Sequence, residues 1–250
     1  MELDEYRRMA EVETSHWWYR ATRDLLQTVL GPNLPAGGRR LDAGCGTGAT
    51  GAWLAEGDAD AEGSGPAAVF GADMEHLALS LYREAHESRG LTVADLTALP
   101  YRDGAFDALL CVTVLCHRSI TDPGAVVGEL ARVVRPGGVI CLMEPGVRRL
   151  RRAHDRVTHS ARRFSRADLA DLLVANGLEV LRSTGAYSFL IPPAAIKAVV
   201  ERGRTSSDLD SAQDGLGGLM GRAASLERRW LATRDLPAGL SVIAIGRRPQ

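Results

Sequence analysis

Short apolar stretches alternate along this chain with longer segments of helical spacing, the pattern of βαβ units and a parallel sheet. It predicts strands near residues 39–43, 67–72, 91–94, 107–113 and 138–143, and helices near 48–55, 75–88 and 123–134. Asp122 is placed to N-cap the last of these helices, with Pro123 at its first position. Upstream, residues 4–30 read as one helix: Leu25, Leu26, Val29 and Leu30 keep helical spacing, and Gly31-Pro32 stops the run. Downstream, Ser165 to Asp168 reads as a capping box opening a helix that ends at Asn176-Gly177, followed by a strand over 178–184. Helical pieces between Pro192 and Trp230 are interrupted by a polar, glycine-rich stretch, Thr205 to Gly218, read as mobile. Leu240 to Ile245 is a final strand. The expectation is one α/β domain over 1–250: an N-terminal helical lid (1–32), a core (33–191 and 236–250) and a helical cap (192–235).

Composition narrows the partners. Thirty basic and thirty-one acidic residues leave a formal net charge of -1, so no global field draws the chain to nucleic acid or to an anionic membrane. No apolar run approaches the roughly 20 residues of a membrane span, and Met1 to Glu5 is acidic where a secretory signal would be basic. A cytoplasmic location is expected. Cys45, Cys111, Cys116 and Cys141 are widely spread with no CxxC pair, and neither a disulfide nor a metal site is expected from them.

The chemistry concentrates at Leu41-Asp42-Ala43-Gly44-Cys45-Gly46-Thr47-Gly48, where a strand gives way to a turn whose backbone N–H groups can approach a ligand closely. By itself this is ambiguous, because Gly44, Gly46 and Ala49 also satisfy a dinucleotide fingerprint. Two acids discriminate. Asp73 closes the second strand, where a carboxylate can accept both ribose hydroxyls; Asp95 closes the third, where it can accept from an adenine amine. Asp42, just before the glycines, would repel a pyrophosphate and suit a cationic amine. The implied ligand is an adenosine with a zwitterionic tail.

With these residues the chain resembles a class I S-adenosylmethionine-dependent methyltransferase of the small-molecule, UbiE-like group. The resemblance rests on Leu41 to Gly48, Gly71-Ala72-Asp73, Ala94-Asp95-Leu96 with Leu99-Pro100-Tyr101, Phe106-Asp107, and Glu129 to Gly138, and covers most of residues 16–191 plus the last strand. It implies a Rossmann-like, doubly wound, seven-stranded sheet whose last strand is antiparallel. It also implies S-adenosylmethionine as cofactor and S-adenosylhomocysteine as product. Carried over, Asp42, Ala43, Gly44, Cys45, Gly46 and Gly48 cradle the methionine portion. Asp73 with Met74 holds the ribose, Asp95 and Leu96 frame the adenine, and Val112 and Thr113 flank the sulfonium. Trp17, Tyr19 and Arg20, in His16 to Arg20, resemble a lid over the cofactor. Residues 58–66 look like an insertion, and the cap matches only in outline.

Transfer from a sulfonium is an in-line displacement, so holding the acceptor at near-attack distance supplies up to about 7–11 kcal/mol. If the acceptor is a hydroxyl, a histidine base adds about 10²–10⁴-fold. His117, after the fourth strand, and His159, in the connection after the fifth, are candidates, with His16 in the lid as a third. For each the competing reading is structural: a helix cap for His117, surface packing for His16. Glu144 could orient a histidine or pair with an arginine. The arginines from Arg148 to Arg166 read as a clamp for an anionic substrate or as a solvated face. The Asp/Asn-Pro-Pro-aromatic signature of base methyltransferases is absent after the fourth strand, where Thr113-Val114-Leu115-Cys116 stands. The expected acceptor is a small molecule, such as a natural product, bound by a monomer or homodimer. Two rivals remain: a cofactor-binding protein without transfer (cyclase, regulator or partner subunit), and a nucleotide-dependent oxidoreductase.

Overall fold

In a computed structural model that describes residues 1–55, 67–150, 154–200 and 217–250, seven strands form one sheet. They are β1 (Arg39–Ala43), β2 (Ala68–Asp73), β3 (Gly90–Val93), β4 (Phe106–Val112), β5 (Val134–Pro145), β6 (Glu179–Ala186) and β7 (Ser241–Arg247). Their order is β3-β2-β1-β4-β5-β7-β6, and β7 runs antiparallel to both its neighbours. The order reverses between β1 and β4, which opens a crevice beyond the carboxyl ends of the strands.

Helices cover both faces: α1 (Leu3–Val12), α2 (Trp17–Leu30), α3 (His76–Ala85), α4 (Pro123–Val133), α5 (His154–Val157), α6 (Arg166–Ala175), α7 (Ile191–Val200) and α8 (Gly217–Leu231). The period-2 alternation of β5 divides the core. Ile140 and Leu142 pack with Val126, Leu130 and Leu169 on one face, whereas Val139, Cys141 and Met143 pack with Leu26, Leu30 and Leu231 on the other. Local capping chemistry sets two helix starts. Asp122 accepts from Gly124 N and Ala125 N, and Ser165 and Asp168 form a reciprocal capping box.

Two elements differ from expectation. The helix expected over 4–30 is two helices, broken at residues 13–16, because Glu13 turns inward to Thr47 and His16 N-caps α2 by accepting from Trp18 N at 3.1 Å. The helix expected over 48–55 is a turn ending in a short 3₁₀ segment, Ala52–Ala55. Gly48 is left-handed there (φ +97°), and a Cβ on Gly51 would lie 1.9 Å from Asp42 Oδ2, so the chain is pressed against that carboxylate instead of winding. Strand β5 also begins earlier than expected, Val134 pairing with Phe106. The expected insertion at 58–66 and most of the polar stretch at 205–218 lie outside the described residues; Gly217 and Gly218 open α8. No helix among the described residues is long and apolar enough to cross a membrane. All four cysteines are buried free thiols, their pKa values raised by burial.

Candidate active site

The turn after β1 is built from left-handed glycines: Gly44 at φ +74°, Gly46 at +53° and Gly48 at +97°. Gly44 N and Cys45 N both donate to Ala72 O, at 2.7 and 3.1 Å, tying the turn to β2. A Cβ on Gly44 would strike Val114 at 2.2 Å and one on Gly48 the Tyr82 ring at 2.4 Å. A Cβ on Gly46 would meet only the Met9 methyl, at 3.9 Å. The turn is thus packed tightly at two glycines and open at the third.

Asp42 lies under this turn, fully buried, and its Oδ2 has no hydrogen-bond partner among the described residues. Burial, with the nearby charge of Asp73, pushes its carboxyl up to about 7. Tyr82 Oη is likewise buried and unpartnered among the described residues. Asp73 Oδ2 accepts from Gly46 N and Oδ1 from Glu75 N, both at 2.9 Å, and burial raises its pKa. Beyond it, exposed Asp95 accepts from Thr97 N and Oγ1, both at 2.8 Å, beside buried Leu96; Met74 is exposed. Parallel pairing of β1 with β2 (Ala43 opposite Ala72) and β2 with β3 (Asp73 opposite Val93) sets these groups along one edge of the sheet.

The cover of the turn is α1, which the hydrophobic pattern did not single out. Met9 reaches Gly46, and the Tyr6 phenol is raised by burial and by Asp73, Glu75 and Cys45. Glu13, buried, accepts from Thr47 Oγ1 inside the turn and lies 3.3 Å from His86 Nε2. Arg23 Nη1 donates to Glu13 O at 3.1 Å and to Ala49 O at 3.4 Å. Of the expected lid residues, Tyr19 is half-buried near Glu13 and Glu5, Trp17 packs edge-on to Trp18 and lies beside Gly217 of α8, and Arg20 is exposed. Trp18 packs against Tyr187 with the rings tilted by 36° and their centroids 4.3 Å apart, and Thr22 meets the Tyr187 hydroxyl at 2.9 Å.

His117 and His159 come together, ring centroids 5.7 Å apart, although 42 positions separate them in sequence. His117 Nδ1 lies 2.7 Å from Ser119 Oγ and its Nε2 3.0 Å from the Met1 nitrogen; His159 Nε2 lies 2.6 Å from Glu2 Oε1. Burial lowers the His117 pKa to about 4, assisted by the Met1 ammonium, His159 and Arg118, so His117 is neutral at pH 7. His16 spends Nδ1 on the α2 cap. Val112 ends β4, and Thr113 follows in the left-handed region at φ +56°, unusual for a β-branched residue.

Among the described residues Glu144 contacts neither a histidine nor an arginine side chain: its carboxylate accepts from Val114 N, Leu115 N and Cys116 N. Several of the clustered arginines are likewise engaged internally. Arg163 pairs with Asp155 at 2.6 Å, Arg148 with Asp168 at 3.1 Å, and Arg162 donates to Leu115 O and Ile120 O. Arg151 and Arg152 lie outside the described residues.

Residues 41–142 match the family model described as a methyltransferase domain. Over these residues, and in the order of its sheet, the chain is similar to class I S-adenosylmethionine-dependent methyltransferases. Methyltransferase GfsG of Streptomyces halstedii is 34% identical over 135 residues, 52% of this chain and 44% of that protein. The demethylmenaquinone methyltransferase of Thermus thermophilus is 39% identical over 110 residues, 42% of this chain and 46% of that protein. The chain thus spans less than half the length of these two relatives. Among solved structures, the 4+2 cyclase SpnF superposes with a TM-score of 0.59 at 22% identity, over 92% of this chain and 81% of that one. Geranyl diphosphate C-methyltransferase from Streptomyces coelicolor A3(2) gives 0.58 at 16% identity, over 92% and 76%. At these identities the two structures establish the fold of the methyltransferase domain and nothing about its acceptor.

Proposed function

We propose that this chain moves the methyl group of S-adenosylmethionine to an oxygen, nitrogen or carbon of a small-molecule acceptor. The observation that carries the reading is the buried, unpartnered Asp42 oxygen beneath a left-handed glycine turn, with the Asp73 carboxylate beside it. An anion so placed suits a ligand ammonium and disfavours a diphosphate. The residues fit the cofactor: Asp42 would pair with its amino group, and the backbone of Gly44, Gly46 and Gly48 would line its methionine portion. Asp73 would hold the ribose hydroxyls and Asp95 with Leu96 the adenine, while Val112 and Thr113 would flank the sulfur. When bound, the cofactor supplies an electrophilic methyl group. The chain's own work is to orient the acceptor and exclude water beneath α1. His117, neutral and beside His159, would take the proton of a hydroxyl acceptor only by exchanging its Nε2 contact with the Met1 nitrogen for that hydroxyl.

The direct test of transfer is to offer labelled cofactor and the purified chain to a cell extract. A labelled small-molecule product supports the reading, and labelled cofactor that binds without any product supports the rival of binding without transfer.

Two further outcomes are expected. Asp42 is held up at about 7 in the ligand-free chain, and a bound ammonium would pull it down, so binding below pH 7 releases a proton. Affinity for S-adenosylhomocysteine should therefore fall by up to about tenfold per pH unit below 7, and Asp42→Asn should flatten that slope in calorimetric titrations. In the absence of ligand the sign reverses: the folded chain holds this proton more tightly than the unfolded one, so the Asp42 contribution to stability rises as pH falls through 7. Asp73→Ala should weaken S-adenosylhomocysteine by about 1–3 kcal/mol through lost charged hydrogen bonds. A variant that binds normally would remove Asp73 from the ribose site.

A further inference from the structure

Glu144 is the last ionisable residue one would expect where it stands. It continues an apolar strand run, Val139 to Met143, is 0% exposed, and sits opposite Val242 of β7. Arg163, in the following segment, is directed elsewhere, to Gly146 O and Asp155. Three consecutive backbone N–H groups meet it instead, offsetting only in part a burial that pushes its carboxyl up to about 7: Oε1 accepts from Val114 at 3.0 Å and Leu115 at 2.7 Å, and Oε2 from Cys116 at 3.0 Å. A buried carboxylate persists only when such donors offset its desolvation.

The donors lie on the segment that leaves β4. Thr113 N is still bonded to Met143 O at 2.7 Å, and the left-handed Thr113 then swings the next three N–H groups onto Glu144. A left-handed threonine is a strained conformation that the surroundings must enforce. This segment does two things at the crevice: Val114 packs on Gly44 of the cofactor turn, and His117 stands at its far end. It also carries the opposite wall. Cys116 O accepts from Ala161 N at 2.8 Å and Arg162 N at 3.3 Å, His117 bridges to Ser160, and Arg118 N donates to His159 O at 2.9 Å.

We propose that Glu144 is a positioning residue for methyl transfer: its carboxylate anchors residues 113–117 so that His117 and His159 face each other across the acceptor side of the crevice. It touches neither cofactor nor acceptor, and the proposal rests on the methyl-transfer reading. An apolar residue at position 144 would keep the strand and lose the anchor. Glutamine keeps the shape but turns an amide donor toward N–H donors, which breaks the convergence.

The test is Glu144→Gln, followed by the nitrogen resonances of the histidine side chains across pH, with S-adenosylhomocysteine titrated by calorimetry alongside. The expected result is a folded variant that binds S-adenosylhomocysteine within about threefold of the unchanged chain. In it the His117 titration moves by at least one pH unit from about 4 toward the ordinary 6.5, because its buried place beside His159 is lost. A merely structural role for Glu144 would lower the unfolding midpoint and leave that titration where it was. An unmoved His117 in the folded variant overturns the proposal. Should the variant not fold, amide exchange in the unchanged chain decides: protected Leu115 and Cys116 amides support the anchor, and amides exchanging as fast as an exposed loop overturn it. Failure of the unchanged chain to bind S-adenosylhomocysteine overturns the methyl-transfer reading, whereas normal binding with an unmoved His117 overturns only the role of Glu144.

Discussion

Gly48→Ala is expected to lower the unfolding free energy by about 2–5 kcal/mol and to abolish cofactor binding in what remains folded. Two costs add. Gly48 holds φ at +97°, where a side chain costs roughly 1–2 kcal/mol. Its Cβ would also sit 2.4 Å from the Tyr82 ring, a fully buried side chain with no room to retreat, and overpacking of this kind costs about 1–3 kcal/mol. The loss is local to the turn that would hold the methionine portion of the cofactor, so binding should fail together with stability. Chemical denaturation with and without S-adenosylhomocysteine measures both. Gly177→Ala is the matched control: it is left-handed at φ +74° with nothing within 4 Å of the added carbon, so only the conformational cost applies. Equal losses at the two positions would contradict the packing described around Tyr82.

Arg163→Met is expected to cost about 3–5 kcal/mol, because it breaks a buried ion pair. The Arg163 and Asp155 side chains are 6% and 11% exposed, and their 2.6 Å contact clasps the connection that carries His159. Arg163 also donates to Gly146 O at 3.0 Å, and Asp155 O accepts from Ser160 N, so the pair closes the segment on itself. Converting both members to apolar residues, Asp155→Leu with Arg163→Met, should recover much of the loss, since a desolvated pair is worth little net while half of one is costly. Urea unfolding of the two single variants and the double variant gives the coupling directly. A double variant no more stable than Arg163→Met alone would show that the two side chains act separately.

What could be read from the sequence was local. Asp122, and Ser165 with Asp168, announce their helices because a cap needs only neighbouring residues, and the buried strands announce themselves as apolar runs. The glycine turn and the acids at the strand ends were legible for the same reason: the turn after β1 and the residues at the ends of β2 and β3 are short segments of fixed order. The break at residues 13–16 was not, because it exists to bring Glu13 to Thr47, 34 positions away. Nor was the winding lost at 48–55, where contact with Asp42 prevails over alanine, tryptophan and leucine at helical spacing. The pairing of His117 with His159 and the anchoring of Val114 to Cys116 by Glu144 span 28 to 42 positions and come from sheet order. One signal for Glu144 was present: a carboxylate ending an otherwise apolar strand run needs a reason to be there.

The measurement that bears most directly on the whole account is a pair of calorimetric titrations of the unchanged chain, one with S-adenosylhomocysteine and one with NAD. The Asp42, Asp73 and glycine-turn geometry predicts one-to-one binding of the thioether and none of the dinucleotide. Binding of NAD with none of S-adenosylhomocysteine would contradict it.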